Sequence, residues 1–397
     1  MKFVVAAYGS RGDVEPCLAV GRELLRRGHD VRMLVPPNLL GFVESAGLAA
    51  VAYGPDSQQV TGFRSHFAKI ENPINKVLEA TEHITQVWTE KGTTLTELAH
   101  EADMIVAGLT EQGLAANVAE YHGIPSAAVH YYPMGILELG WLDWRITKAA
   151  ENAQRRALGL PEATGPSTRM VERGSLEIQA YDELCLPGVA AQWADQGARR
   201  PFVGTLTLEL PTDADEEVLS WIAAGTPPIY FGFGSMKVTM PTDTIAMISA
   251  ACAQLGERAL IESGSNDFTD IPHADHVKFV DTVGQAAVFP ACRAIVHHGG
   301  AGTTAASLRA GIPTLILFAV WLDQPIWAAA VERLKVGSAR RFSETTQESL
   351  VADLSLILAS QYLSRAREVA AQMSKPAESL ASAADLLEDA ARQGRPG

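Results

Sequence analysis

Four short segments carry the residues best able to do chemistry. His297-His298-Gly299-Gly300-Ala301-Gly302-Thr303-Thr304 joins a short apolar run to a helical stretch. Glycines let a backbone approach a ligand closely, and the first turn of a helix offers unpaired N–H groups at the positive end of its dipole. The segment therefore suits a phosphate or diphosphate, with Thr303 and Thr304 adding hydroxyl donors. The alternative is a tight turn that needs glycine only for packing. It has no lysine after its glycines, so it is not a Walker A loop, and it is not GxGxxG. The paired histidines lack a third ligand nearby, and His273 and His276 read as loop residues, so no metal site is expected. A second segment, Gly232-Phe233-Gly234-Ser235, ends another apolar run. A third, Trp321-Leu322-Asp323-Gln324-Pro325, offers an acceptor and an amide to a polyhydroxylated ligand, or an N-cap followed by proline. The fourth runs from Gly9 and Ser10 through Asp13 to Pro16. Its carboxylate could take a proton from a hydroxyl, or merely cap a helix that starts at Pro16.

Positioning these segments calls for strands that end where they begin. In the amino-terminal half, residues 3–7, 31–35, 104–107 and 126–129 read as strands, with helices over 16–27, 39–46 and 111–121. The other half repeats the pattern, with strands over 228–231, 259–262, 277–280, 294–296 and 314–318. Its helices are expected over 242–255, after the glycine segment to Ala310, over 324–334 and over 375–392. Short apolar runs alternating with helices imply parallel sheets covered on both faces. The expected fold is α/β: two doubly wound, Rossmann-like domains facing across a cleft. The divisions fall at 1–205, 206–374 and a C-terminal helix over 375–397, and in open sheets of this kind ligands bind at the carboxyl ends of strands.

The 397 residues carry 46 Asp plus Glu against 32 Lys plus Arg, a net charge of -14. That balance argues against nucleic acid as a partner. Cys17, Cys185, Cys252 and Cys292 form no CxxC pair and read as buried apolar residues in a reducing, cytoplasmic setting. No apolar stretch approaches the length of a membrane span or a signal-peptide core, although contact with a membrane surface stays open.

Five motifs in order, GSRGDVEP at 9–16, FGFGSM at 231–236, HHGGAGTT at 297–304, RAGIP at 309–313 and DQP at 323–325, cover essentially the whole chain. Together they resemble bacterial family 1 glycosyltransferases of the GT-B architecture, in particular those acting on vancomycin-group glycopeptides and mycobacterial glycopeptidolipids. The resemblance implies an inverting, metal-independent hexosyltransferase that needs no cofactor and takes a UDP- or dTDP-sugar as co-substrate. It implies Asp13 as general base toward an acceptor hydroxyl. The implied donor contacts are Ser10, Ser235, Val280, His298, Gly300, Gly302, Thr303, Asp323 and Gln324, with the nucleobase along 279–283. The stacking tryptophan of plant relatives is missing, which leaves uracil and thymine both open. The acceptor is expected to be an amphipathic natural product or glycolipid, from the aromatics Phe63, Phe67, Trp88, Tyr131, Tyr132, Trp141 and Trp144 in the first half. Tyr131, Trp141 and Trp144 are the implied acceptor contacts, and the C-terminal helix is expected to pack on the first domain. Rival readings are a nucleotide-sugar epimerase of the same fold and a nucleotide-binding protein without chemistry. An NAD-dependent dehydrogenase would need GxGxxG with an acidic partner, which is not present.

Overall fold

A computed structural model describes residues 1–58, 73–133, 141–162, 174–193, 199–319 and 323–394. The chain forms two compact units. Met1–Glu183, Gly188–Leu208 and Ser374–Gly397 make the first, and Leu184–Pro187 with Glu209–Met373 make the second.

The first unit holds β1 (Lys2–Ala6), α1 (Arg11–Arg26), β2 (Asp30–Val35), α2 (Leu40–Ser45), β3 (Ala49–Ala52) and α3 (Pro73–Ala99). It continues with β4 (Met104–Ala107), α4 (Gln112–His122), β5 (Ser126–His130), α5 (Trp141–Ala157), β6 (Leu176–Gln179) and α6 (Val189–Trp193). The second unit holds α7 (Asp215–Ala223), β7 (Ile229–Gly232), α8 (Pro241–Leu255), β8 (Ala259–Glu262), β9 (Val277–Val280) and α9 (Gln285–Val288). Then come β10 (Ala294–His297), α10 (Ala301–Ala310), β11 (Thr314–Phe318), α11 (Gln324–Leu334), β12 (Gly337–Arg341), α12 (Gln347–Ile357) and α13 (Ser360–Ala370). The last helix, α14 (Pro376–Gln393), belongs to the first unit. It is clasped to the end of α1 by Arg27, whose guanidinium donates to Asp385 at 2.6 Å and to the Ala381 carbonyl at 3.1 Å.

Each unit contains one six-stranded parallel sheet. The first has the order β3-β2-β1-β4-β5-β6 and the second β12-β11-β10-β7-β8-β9. Read from its other edge, the second sheet follows the same 3-2-1-4-5-6 progression, so both are doubly wound in the Rossmann manner. The order reverses between β1 and β4 in one unit and between β7 and β10 in the other. Those are the points where an open α/β sheet leaves a crevice at its carboxyl edge. The central strands β1, β4, β7 and β10 are buried on both faces. In the second unit one face packs Ile229, Phe231, Ile261 and Val296 against α8 and α12. The other packs Tyr230, Leu260 and Ile295 against α7, α9 and α10.

One expected boundary is wrong in a way that matters for the site. The helix after β1 begins at Arg11, not at Pro16, so Asp13 lies in its first turn and Pro16 in its interior. A proline starts a helix cheaply because its missing N–H is unneeded there, but here the start is set five residues earlier by Ser10 and Asp13. Strands β3, β6 and β12 were not expected: β3 is a short run of three alanines and a valine, and alanine has little strand preference, β6 reads LEIQ, and β12 is an edge strand reading GSARR.

Candidate active site

At the β1–β4 reversal, the loop leaving β1 turns at Gly9 into the N-terminus of α1. Asp13 Oδ2 accepts the Ser10 N–H at 2.6 Å and the Ser10 hydroxyl at 2.8 Å, a reciprocal cap with Asp13 at the third helical position. Its other oxygen, Oδ1, accepts from the Tyr131 hydroxyl, carried just past the carboxyl end of β5. Gly9 has φ +138, and a Cβ there would stand 2.4 Å from Asp13 Oδ2, so the close approach demands glycine. The carboxylate is partly exposed and fixed through both oxygens. Ser10, expected among the donor contacts, uses both its N–H and its hydroxyl on Asp13. Tyr131 and Tyr132 are each 7% exposed and meet edge to face. Trp88 packs against the core of this unit. Trp141 and Trp144 fall in the first turn of α5, but their side chains lie outside the described residues, as do Phe63 and Phe67.

Beneath this loop lies an ion pair that the sequence does not advertise. Lys91 of α3 meets Glu111, at the start of α4, at 2.7 Å, with side chains 6% and 1% exposed. Tyr53 donates to the second Glu111 oxygen at 2.7 Å, and Lys91 sits 4.3 Å over the Tyr8 ring. Thr110 donates to the Tyr8 carbonyl at 3.0 Å. A buried pair of this kind needs every lone pair satisfied, and here it braces the residue that immediately precedes Gly9.

At the β7–β10 reversal of the second unit, β10 delivers His297 and His298 into the turn Gly299-Gly300, and α10 starts at Ala301 with Gly300 as its N-cap. Gly302 is exposed and Thr303 partly exposed in the first turn. Gln285 donates to the Thr303 hydroxyl at 3.3 Å, a neighbour that the motifs did not single out. Thr304 must be corrected: it is 1% exposed and its hydroxyl donates to the Gly300 carbonyl at 2.8 Å, so it tightens the turn and is no ligand donor. His298 is wedged between Gly234 and Gly300, where a Cβ would lie 2.5 Å and 2.7 Å from its ring atoms. Burial pushes its imidazole down to about 4, and its Nδ1 has no hydrogen-bond partner among the described residues. The ring is therefore uncharged near neutrality. His297 is likewise held well below its ordinary value, first by burial and then by His298. Its Nδ1 accepts the Gly299 N–H at 3.0 Å, so the proton sits on Nε2, which has no partner among the described residues.

The remaining expected contacts sit around the same carboxyl edge. Ser235 is exposed in the loop after β7, which Asn266 braces through the Val238 N–H and the Met236 carbonyl. Val280 ends β9, and its carbonyl accepts the Ser263 N–H at 2.8 Å. Asp323 is the N-cap residue of α11, where its carbonyl accepts the first helical N–H groups. Gln324 is 7% exposed and its oxygen accepts the Ala319 N–H at 2.8 Å, leaving the amide N–H groups as what it can offer a ligand. Trp321 and Leu322 lie outside the described residues. Among the described residues no three His, Cys, Asp or Glu come together as a metal site would require, and no helix is long and apolar enough to cross a membrane. His273 and His276 each bond a nearby carbonyl.

This two-unit arrangement has known counterparts. Residues 3–133 match the glycosyltransferase family 28 N-terminal domain, and residues 258–388 match the C-terminal domain of the erythromycin biosynthesis protein CIII-like family. An uncharacterized glycosyltransferase of Mycobacterium tuberculosis is 60% identical over 418 residues, covering 100% of each chain. A sterol 3-beta-glucosyltransferase of Arabidopsis thaliana is 27% identical over 410 residues, covering 93% of this chain and 65% of the plant protein. Among solved structures, the calicheamicin glycosyltransferase CalG4 superposes with a TM-score of 0.73 at 19% identity, covering 99% of both chains. Glycosyltransferase VinC in complex with dTDP gives 0.68 at 17% identity, covering 99% of this chain and 100% of that one. At those identities the two structures speak for the fold, while the mycobacterial relative speaks for the family. The chain belongs to that family and is a GT-B glycosyltransferase, similar in fold to enzymes of antibiotic glycosylation.

Proposed function

We propose that the protein transfers a hexose or deoxyhexose from a UDP- or dTDP-sugar to a hydroxyl of an amphipathic natural product or glycolipid, with inversion and without a metal ion. Asp13 takes the acceptor proton as the hydroxyl oxygen attacks the anomeric carbon. The bond from that carbon to the diphosphate oxygen breaks, and its electron pair leaves with the nucleoside diphosphate. Attack from the face opposite the leaving group inverts the anomeric centre. An aspartate is a weak base toward an alcohol, so positioning and leaving-group stabilisation supply most of the acceleration. The leaving charge is met by N–H groups at the start of α10, by Thr303 and Ser235, and by the neutral His298. Asp323 and Gln324 hold the sugar hydroxyls, and the segment at Val280 takes the base.

The observation that carries this reading is the carboxylate of Asp13, partly exposed yet held through both oxygens at the reversal point of its sheet. The donor class is supported by the dTDP bound in VinC, and an amphipathic acceptor by the sterol specificity named for the plant relative. Incubation with UDP-glucose and with dTDP-rhamnose, with and without candidate acceptors, tests the reaction through nucleoside diphosphate release. Release that depends on acceptor is expected, and a product that forms without one points to epimerisation or hydrolysis instead. Asp13→Asn is expected to lower transfer by at least roughly a hundred-fold while nucleotide binding survives. Turnover near that of the native protein would remove Asp13 from the base role.

A further inference from the structure

In the second unit, one face of the sheet ends at its carboxyl edge in a row of register partners. Gly232 of β7 lies opposite His297 of β10 and Glu262 of β8, and Glu262 lies opposite Val280 of β9. Partners in register share a face. This face is the one covered by α7, α9 and α10, since Tyr230, Leu260 and Ile295, each two residues earlier along its strand, belong to that core. Its rim therefore carries the start of α10 and Val280, both given to the nucleotide above, and Gln285, which donates to Thr303. Glu262 is the one carboxylate in the row. It is partly exposed, and its Oε2 accepts the hydroxyl of Tyr230 at 2.6 Å. Tyr230 is 1% exposed, and a Cβ on Gly232 would stand 2.3 Å from its hydroxyl oxygen. The tyrosine thus reaches along the glycine strand and fixes the carboxylate at the rim.

In doubly wound nucleotide-binding sheets, a carboxylate at the end of the strand beside the glycine-rich one receives ribose hydroxyls. Here β8 lies between β7 and β9, so Glu262 stands between the glycine loop after β7 and the Val280 segment given to the base. A ribose offers two adjacent hydroxyl donors to a carboxylate, and a 2′-deoxyribose offers one. We propose that Glu262, held by Tyr230, receives the ribose hydroxyls of the donor and makes the protein select a ribonucleoside diphosphate sugar over its 2′-deoxy counterpart. The proposal rests on the donor reading of the second unit and narrows it to the UDP class.

Calorimetric titration of the whole protein with UDP and with 2′-deoxy-UDP separates the two ideas, because the pair differs only in the 2′-hydroxyl. The native protein is expected to bind UDP roughly ten- to a hundred-fold more tightly, the worth of one hydrogen bond to a charged group. E262A should bring the ratio close to one by weakening UDP, which loses both hydroxyl contacts, more than 2′-deoxy-UDP, which loses only that of the 3′-hydroxyl. E262Q, almost the same shape, should lie between and guards against a folding defect, with thermal unfolding as a check. A role confined to satisfying Tyr230 would lower stability and leave the ratio alone. Equal affinity in the native protein, or a preference that survives in both variants, overturns the assignment of Glu262 while the donor site stands. Failure of both nucleotides to bind overturns the donor site and this proposal with it.

Discussion

At the level of single residues, the site depends on short-range geometry that composition does not reveal. Asp13 was legible as a carboxylate after the first strand, but its fixing partners were only half so. Ser10 is three residues away, and the cap it forms is a local pattern; Tyr131 is 118 residues away, and only the parallel order β1-β4-β5 brings it to Asp13. Thr304 shows the reverse case: its type and position suit a ligand donor, yet the helical turn places its hydroxyl on the Gly300 carbonyl. Gly9 binds these facts together. Gly9→Ala forces a left-handed backbone on a residue with a side chain and drives its Cβ against Asp13. A loss of about 1–3 kcal/mol is expected from the strain, together with reduced transfer as the carboxylate moves. Chemical denaturation measures the first, and an unchanged midpoint would mean that the loop relaxes around the methyl.

Elements bring distant residues under the site. The Lys91–Glu111 pair joins the middle of α3 to the start of α4, two elements with no shared local pattern, and its burial comes from Tyr8 and Tyr53 closing over it. Nothing in the run around Lys91 marks it as buried, because the same helix carries exposed charged residues at Glu79, Glu82, Glu90 and Glu97. Lys91→Met strands a buried carboxylate, which is expected to cost about 3–5 kcal/mol, and Lys91→Met combined with Glu111→Gln should recover part of that. Urea unfolding of the single and double variants checks the coupling; equal midpoints for both would show that the pair does not act as one. The same level explains the late placement of the α1 start. Pro16 is a strong local mark, but the reciprocal Ser10–Asp13 cap outweighs it by satisfying orphan donors of the first turn.

For the molecule as a whole, buried histidines set the acid side of stability. Burial, with a smaller contribution from Arg200, holds His130 down to about 3, and burial holds His298 down to about 4, against an ordinary value of 6.5. The unfolded chain therefore takes up protons below pH 6.5 that the folded chain refuses. Stability is complete above that pH, falls as the pH drops toward the folded values and then levels, by up to about 1.4 kcal/mol per pH unit for each fully buried histidine. Unfolding midpoints measured from pH 7 to 4.5 should fall steadily, and less steeply in His130→Asn; a flat profile would mean that these rings are hydrated. By itself the sequence determined the class of fold, the two-fold repetition of the strand and helix grammar, and the glycine segments, because apolar period and turn chemistry are local. Only the tertiary structure decided which residues meet. Tyr131 on Asp13, Lys91 under Tyr8 and Tyr230 on Glu262 are pairings made by strand order and burial, and those depend on chain segments that lie far apart until the sheets form.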